Sequence, residues 1–439
     1  MLYYNYSKWG EYLNSGYKSP FLSYWMVLVI LALELVYFMT YHHGYFHFID
    51  TISYEAAADV LLSGKVDQVR TPLYPLIIAL FRWIAGDSWE WLMIAAQTAT
   101  VVCSAYFLKE IADWFIKDTR ISFWIVAFYL LCPGFSQYML CPITEAFAAS
   151  GVVFALWLLV KVYRYPERLS YAVWSFALWF LLLMLRPSFL YLLLVYPTYF
   201  LIVYLRRKPK MKFWIVSGVS MVCVLCAFFS YKQTVSDTYH IKSICTISSV
   251  NNYASIRQAN LLCPELAPTP EMRELLETFR EHGDYPEFVT VMSESVALQE
   301  SAGQQHFEEY INNVIVNNKA AVGKLILYRL IDDLSDYQIF PTSNPKAFIA
   351  FSRYALPSYQ AYLLLCLVFT VVGIRQWIKY KRIPVFTALF LAVTLGMSIT
   401  SILGAPGDFE RLSYPGMSAF MLVFGKFCSM FHFKQTRLE

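Results

Sequence analysis

The chain has 439 residues, of which 58% are hydrophobic and only 15% are charged, and its formal net charge at pH 7 is +4. Soluble domains carry about 25% charged residues, so this composition excludes a soluble enzyme, a disordered chain and a nucleic-acid-binding module. Nine cysteines are spread widely along the chain, and their spacing gives no zinc or redox framework.

Apolar stretches long enough to cross a bilayer, which takes about 20 residues, recur along the chain. The short apolar stretch 72–86 is predicted to be an interfacial or re-entrant helix. The continuous stretch 171–205 is divided at Arg186-Pro187-Ser188, because proline and arginine are disfavoured in mid-bilayer. We therefore predict an all-α polytopic membrane protein of about ten transmembrane helices, at residues 22–41, 89–112, 121–139, 144–162, 171–186, 189–205, 213–231, 356–375, 384–403 and 412–430.

Lysine and arginine concentrate in alternate connections between these stretches, most densely at 206–212. Basic connections face the cytoplasm, so both termini are predicted inside and the remaining loops outside. The chain then divides into a transmembrane module at 1–231 with a first outer loop at 42–88, an outer insert at 232–352, and C-terminal helices at 353–439.

The insert is soluble in character, with 15 acidic and 9 basic residues. Apolar residues at three-to-four spacing predict helices over Glu271–His282, Pro286–Gln299 and His306–Asp333. A lid or acceptor-binding domain and a plain structural insert are equally compatible with this pattern. Cys245 and Cys263 lie on the oxidising side, where a disulfide between them is one of two open alternatives.

The first outer loop is the segment richest in polar groups. A helix is predicted over 52–63, ending at Gly64, with Glu55 and Asp59 on one face. Asp50 is either the N-cap of this helix or a general base at the membrane surface, and the two roles are compatible. Arg70 either reaches lipid headgroups or holds a phosphate. His47, three residues before Asp50, is a candidate ligand of a divalent metal ion, with an ordinary interfacial histidine as the alternative.

Charged residues also stand at the other outer turns. Glu145 begins a span, where the helix dipole favours an acidic residue. Glu34 lies inside the first span, and a hydrogen bond to a neighbouring helix is the simpler explanation of its position. Charges at membrane depth usually face a cavity or each other. A single site at the outer face is therefore predicted from five charges at one depth: Asp50, Arg70, Glu145, Arg186 and Arg411.

The loop motifs resemble those of one glycosyltransferase superfamily. The run Asp50-x-x-x-Tyr54, Ala58, Leu61-Leu62-x-Gly64 and Arg70-Thr71-Pro72-Leu73-Tyr74-Pro75 resembles the first outer loop of GT-C glycosyltransferases. The most similar members are the protein O-mannosyltransferases (glycosyltransferase family 39) and the bacterial aminoarabinose transferases of lipid A. Thr144-Glu145 and Arg186-Pro187-Ser188 resemble two further family features, so the resemblance covers residues 22–205.

The resemblance implies a GT-C-type helical bundle that transfers a sugar, with inversion, from a polyprenyl phosphate such as undecaprenyl phosphate. Asp50 takes the position of the base that deprotonates the acceptor, and Arg70 that of a basic residue near the phosphate. Glu145 is expected to line the acceptor or sugar site. From the topology we add Arg186 and Arg411 to the charge stabilisation. The remaining substrate-binding candidates are Tyr54, Tyr74 and Glu55.

Many family members carry two adjacent acids in this loop, whereas here Thr51 follows Asp50, so the second acidic role passes to Glu55 or Glu145. The implied partners are the donor lipid, membrane lipids and a glycan, lipid or protein acceptor, with no nucleic acid. A divalent metal ion is the one cofactor left open. The absence of a β-rich insert favours a bacterial inner-membrane enzyme with a periplasmic site.

Three other functions share parts of this pattern. A polysaccharide polymerase or ligase using a diphosphate-linked oligosaccharide would use arginine and histidine in a large outer loop. A transporter or flippase for lipid-linked sugars would place charges near the bilayer midplane and show paired halves. A non-catalytic membrane scaffold is the third.

Overall fold

The computed structural model describes residues 20–41, 43–45, 47–241, 243–283, 288–332, 359–380, 384–404 and 409–435. The regular structure of these residues is helical, and they contain no β-strand, so the predicted all-α class is confirmed for them. The start of the predicted helix at Pro286, residues 333–352, His42 and the loop 405–408 lie outside the described residues.

Nine helices form the first part of the chain. Their bounds are Pro20–Tyr41 (α1), Ile49–Leu62 (α2), Leu73–Ala85 (α3), Trp89–Ile116 (α4), Thr119–Leu131 (α5), Pro133–Met139 (α6), Glu145–Arg164 (α7), Leu169–Leu185 (α8) and Leu192–Arg207 (α9).

Ten further helices complete the described chain. Their bounds are Met211–Tyr239 (α10), Ile247–Gln258 (α11), Pro270–Phe279 (α12), Phe288–Ala302 (α13), Gln304–Asn317 (α14), Lys319–Asp332 (α15), Tyr359–Tyr380 (α16), Val385–Gly404 (α17), Phe409–Ser413 (α18) and Met417–Gln435 (α19).

Five of the described helical segments are long and apolar enough to cross a membrane, so the number ten is not confirmed. They are Tyr24–Tyr41, Leu73–Ile116, Glu145–Arg164, Pro187–Arg207 and Met211–Tyr239. Four more apolar helices are shorter: Thr119–Leu131, Leu169–Leu185, Leu364–Arg375 and Val385–Ser401.

Two breaks set the bounds of the helices in the first part of the chain, and one of them was not predicted. The predicted span 121–139 divides into α5 and α6 because Cys132, which precedes Pro133, adopts extended backbone with ψ 112°. The apolar stretch at 72–86 forms a helix of its own, α3, which ends at Ala85 before α4 begins at Trp89. A 3₁₀ turn at Gly86–Ser88 connects α3 to α4, and Gly86 takes a positive φ of 54° there.

The first and last helices share one apolar core. α7 packs between α4 and α8, and α10 packs on α8. The C-terminal α19 returns to α4, α5 and α7, while α17 lies against α9 and the 3₁₀ turn at Pro187–Tyr191. This return brings Arg411 to the first turns of α2 and α7.

The insert has a core of its own, built by α11 to α14 around Tyr253, Leu276 and Phe307. A buried ion pair, Arg257 Nε to Glu294 Oε2 at 2.9 Å, joins α11 to α13. The helix α11 was not predicted, because its sequence is polar and has no clear apolar period. The predicted helix His306–Asp333 divides at Asn318 into α14 and α15.

The alternative of a disulfide between Cys245 and Cys263 is wrong, because both thiols are free. Cys245 is buried in the transmembrane core, whereas Cys263 packs on the insert core, where its N–H donates to the Tyr310 hydroxyl at 3.2 Å. Each cysteine thus belongs to a different apolar cluster. The insert is instead tied to the first outer loop by the Thr246 N–H, which donates to the Gln68 carbonyl at 2.7 Å.

We expect Gly396→Ala to destabilise the bundle. A Cβ at this position of α17 would overlap Cδ2 and Cγ of the Tyr191 ring, a contact that forces the ring or the helix to move. Overpacking of this kind costs about 1–3 kcal/mol, so thermal unfolding in detergent should occur at a lower temperature.

Gly218→Ala in α10 is the matched control, because nothing lies within 4 Å of its Cβ position. Alanine also has the higher helix propensity, so this variant should melt at or above the wild-type temperature. Equal melting temperatures for the two variants would contradict the described packing of α17 on Tyr191.

Candidate functional site

Asp50 lies in the first turn of α2, and its prediction as the N-cap is wrong. The helix begins at Ile49, and the cap position is Phe48. The Phe48 N–H donates to the Thr51 hydroxyl at 3.2 Å, and that hydroxyl donates to the Pro142 carbonyl at 3.2 Å. Because Thr51 satisfies the helix start, the Asp50 carboxylate is directed to other groups.

Two guanidinium groups hold the Asp50 carboxylate, one on each oxygen. Arg70 Nη2 lies 2.7 Å from Oδ1, and Arg411 Nη1 lies 2.6 Å from Oδ2. Burial by itself would raise the pKa of Asp50, but the charges and hydrogen bonds of Arg70 and Arg411 outweigh it and hold the pKa well below its usual range. Asp50 is therefore an ionised carboxylate clamped between two cations.

Arg70 is fixed by its own loop as well as by Asp50. The Asp67 carboxylate accepts from the backbone N–H groups of Val69 at 2.8 Å and Arg70 at 2.6 Å, which sets the turn. Arg70 Nε donates to the Ser53 hydroxyl at 2.9 Å, and the guanidinium lies 4.4 Å from the centre of the Tyr54 ring. The guanidinium thus has one fixed orientation along α2.

Glu145 continues the line of charges from Arg411 to Arg186. Its Oε1 atom lies 3.3 Å from Arg411 Nη1 and 3.4 Å from Arg186 Nη1. The Glu145 side chain is 1% exposed and the Arg186 side chain 7%. Glu145 is the first residue of α7, and Arg186 directly follows α8, so two helix ends meet here.

The structure brings together all five charges that the sequence places at one depth. They form a continuous chain, Arg70 to Asp50 to Arg411 to Glu145 to Arg186, with three cations and two anions. Since the cluster carries a net charge of +1 and is largely shielded from water, it favours an anionic ligand.

Tyr54 and Tyr74, predicted as substrate-binding residues, pack beside the cluster. Tyr54 contacts the Arg70 guanidinium, and Tyr74 contacts Tyr54. Both are buried, and their rings meet edge to face with centroids 4.9 Å apart. The Tyr74 hydroxyl lies 3.4 Å from Gln97 Oε1, and Gln97 Nε2 donates to the carbonyls of Tyr138 at 3.0 Å and Cys141 at 2.9 Å. Sequence reasoning missed Gln97, although a lone amide in an apolar helix is a usable signal.

Two predicted acids have partners outside this cluster. Glu55 accepts from Arg82 Nη2 of α3 at 2.9 Å, in an ion pair that Asp59 shares at 2.8 Å. Glu34 of α1 accepts from the Ser136 hydroxyl of α6 at 2.8 Å, so the simpler explanation of Glu34, a hydrogen bond to a neighbouring helix, is confirmed.

His47 and Asp50 are three residues apart in the sequence, but their side chains contact different groups. Both Asp50 oxygens are held by arginine, and the His47 Nε2 atom lies instead 2.9 Å from Glu90 Oε1 of α4. The other ring nitrogen lies 3.9 Å from Glu55 Oε1. His47, Glu55 and Glu90 thus form a second polar group beside the five-charge cluster.

In comparisons with known proteins, no family model and no curated protein matched the chain.

We expect Glu145→Gln to lower the stability of the folded chain. The substitution keeps the side-chain volume but leaves the buried Arg186 without its counter-charge and weakens the hold on Arg411. Breaking a buried ion pair on one side costs about 3–5 kcal/mol, so unfolding in detergent should shift by several degrees.

Asp59→Asn is the control for the loss of one carboxylate charge, because Asp59 is an exposed residue that pairs with Arg82. An exposed pair contributes about 0–1 kcal/mol. If the two variants unfolded alike, Glu145 would not be the anion that holds Arg186 and Arg411.

Proposed function

We propose that this protein is an integral membrane glycosyltransferase of the GT-C type, which moves a sugar from a polyprenyl phosphate to an acceptor at the outer face of the membrane. The observation that carries the proposal is the Asp50 carboxylate clamped by Arg70 and Arg411. A base and two cations in direct contact are the groups that this reaction requires.

The arginines supply the binding of the donor phosphate. A guanidinium presents a planar fork of donors that matches phosphate oxygens. The donor is a phosphodiester with one negative charge, which the net charge of +1 on the cluster balances. In this scheme Arg70 and Arg411 hold the phosphate, and Arg186 with Glu145 fixes Arg411 from the buried side.

The lipid tail has an apolar surface beside the cluster. α3 begins two residues after Thr71, and its outward face carries Leu76, Leu80 and Trp83, of which Trp83 is 82% exposed. These residues recur at helical spacing, and Ile52 and Leu62 of α2 are also exposed. An apolar surface of this kind suits contact with lipid or with the isoprene units of the donor.

Asp50 needs a change of partners before it can act as a base. While both guanidiniums bind it, its pKa is too low for it to accept a proton readily. A phosphate that engages Arg70 and Arg411 competes with Asp50 for the same donors. Donor binding therefore weakens the clamp and raises the pKa of the carboxylate.

The transfer is then an inverting displacement. The acceptor hydroxyl or amine loses its proton to Asp50 as its lone pair bonds to the anomeric carbon. The bond from that carbon to the phosphate oxygen breaks on the opposite face, and the polyprenyl phosphate leaves with the electron pair. Arg70 and Arg411 stabilise the charge that develops on the leaving group.

We further propose a bacterial inner membrane as the location, with both termini in the cytoplasm and the cluster facing the periplasm. The distribution of lysine and arginine supports this orientation.

Asp50→Asn should abolish the release of polyprenyl phosphate from donor lipids. The purified protein is incubated with polyprenyl-phosphate sugars extracted from host membranes, with host envelope as the acceptor source. Mass spectrometry follows loss of donor and appearance of polyprenyl phosphate. A positioned general base contributes about 10²–10⁴-fold, so the variant should lose at least 100-fold of the wild-type rate.

Asp59→Asn is again the matched control, because it removes an acid from the same helix without touching the cluster.

Release from diphosphate-linked oligosaccharides alone would favour a polymerase or ligase. Movement of an intact lipid-linked sugar across vesicles without any release would favour a transporter, and either result would overturn the proposal.

The pH at which the activity falls on the acid side should differ between kcat and kcat/KM. The kcat/KM profile follows the free enzyme, in which the arginines keep Asp50 ionised far into acid. The kcat profile follows the donor complex, in which the pKa of Asp50 is raised, so protonation removes the base at a higher pH. As the pH is lowered, kcat should therefore begin to fall at a higher pH than kcat/KM does. Parallel profiles would argue against an exchange of partners.

A further inference from the structure

The group His47, Glu55 and Glu90 lies apart from the five-charge cluster and joins three segments of the chain. His47 precedes α2, Glu55 lies within α2, and Glu90 is in the first turn of α4. One ligand atom from each of the three side chains can be chosen so that all three lie within 4.8 Å of one another. The His47 side chain is 44% exposed, so the group is open to ions from solution.

The carboxylates of Glu55 and Glu90 are oriented in the same way. Each turns one oxygen toward His47, while a donor outside the group binds the other oxygen. The Oε2 atom of Glu90 accepts from the Tyr45 hydroxyl, and the Oε2 atom of Glu55 accepts from Arg82 Nη2. The Oε1 atoms of both glutamates are those nearest the His47 ring, at 2.9 Å for Glu90 and 3.9 Å for Glu55. Outer donors that hold ligating carboxylates in this manner are a regular feature of metal sites.

We propose that His47, Glu55 and Glu90 bind a divalent transition-metal ion of the zinc type, with water completing its coordination. One imidazole and two carboxylates with an open position form a ligand set that zinc accepts. Magnesium and calcium prefer sites made of oxygen alone, so the imidazole selects against them. The two glutamates balance the charge of the ion, and Arg82 leaves one oxygen of Glu55 available.

The ion would hold the entry of α2 in place. It connects residues on both sides of Asp50 to the start of α4 without contacting Asp50 itself, so its role is to position the loop. The inference does not depend on the proposed transferase activity, because metal binding is measured in the absence of any donor lipid.

The test uses the full chain, purified in detergent without a histidine tag. The protein is dialysed against ZnCl₂ and then against metal-free buffer, and bound zinc is measured by inductively coupled plasma mass spectrometry. We expect one zinc ion per wild-type chain, and at least a tenfold weaker affinity in His47→Ala and Glu90→Gln. In the cobalt-loaded protein, the visible absorption bands should change when His47 is replaced.

Two control variants separate metal binding from damage to the fold. His43→Asn replaces a neighbouring histidine, and asparagine tolerates its positive φ of 56°. Asp59→Asn removes the other acid bound by Arg82. Both should retain zinc as the wild type does, and a chelator should lower the melting temperature of the wild type and of these controls but not that of His47→Ala.

The proposal is overturned if the wild-type chain binds no zinc, or if His47→Ala and Glu90→Gln retain it fully. It is also overturned if calcium or magnesium binds through the glutamates with no effect of His47. Zinc binding that survives in a chain without transferase activity supports the site and counts only against the proposed function.

Discussion

The contact of the Asp50 carboxylate with two guanidiniums is the interaction that joins the separate segments of the candidate site. A buried carboxylate costs several kcal/mol unless cations and hydrogen bonds compensate it, and Arg70 and Arg411 provide both. The same pairing fixes the start of α2, the turn at Asp67 and Arg411 relative to one another. Arg411 also bonds to Glu145, so the constraint extends to the first residue of α7.

The charges of the cluster compensate one another. Asp50 and Glu145 contact the guanidiniums with which a bound anion would also pair. Such an arrangement keeps three arginines folded together that would otherwise repel. It also means that an anionic ligand must compete with Asp50 rather than fill an open position.

The sequence predicted that the five charges lie together, because charges are rare in apolar helices and usually face one another. It did not predict the local geometry. Asp50 is a residue type that often caps a helix, but here the Thr51 hydroxyl binds the N–H of Phe48. The same hydroxyl also donates to the Pro142 carbonyl, which the sequence does not reveal. The helix α11 escaped detection because its stability comes from the insert core and the Arg257–Glu294 pair, which are contacts between segments distant in sequence.

The 361 residues that separate Asp50 from Arg411 have a consequence for biosynthesis. Residues 49–62 and 145–164 leave the ribosome long before Arg411 exists, so Asp50 and Glu145 enter the membrane lacking one of their cations. Arg70 and Arg186 give each of them a provisional partner. The cluster is complete only when the segment that carries Arg411 has been made, so a chain that stops before it leaves Asp50 with Arg70 and Glu145 with Arg186.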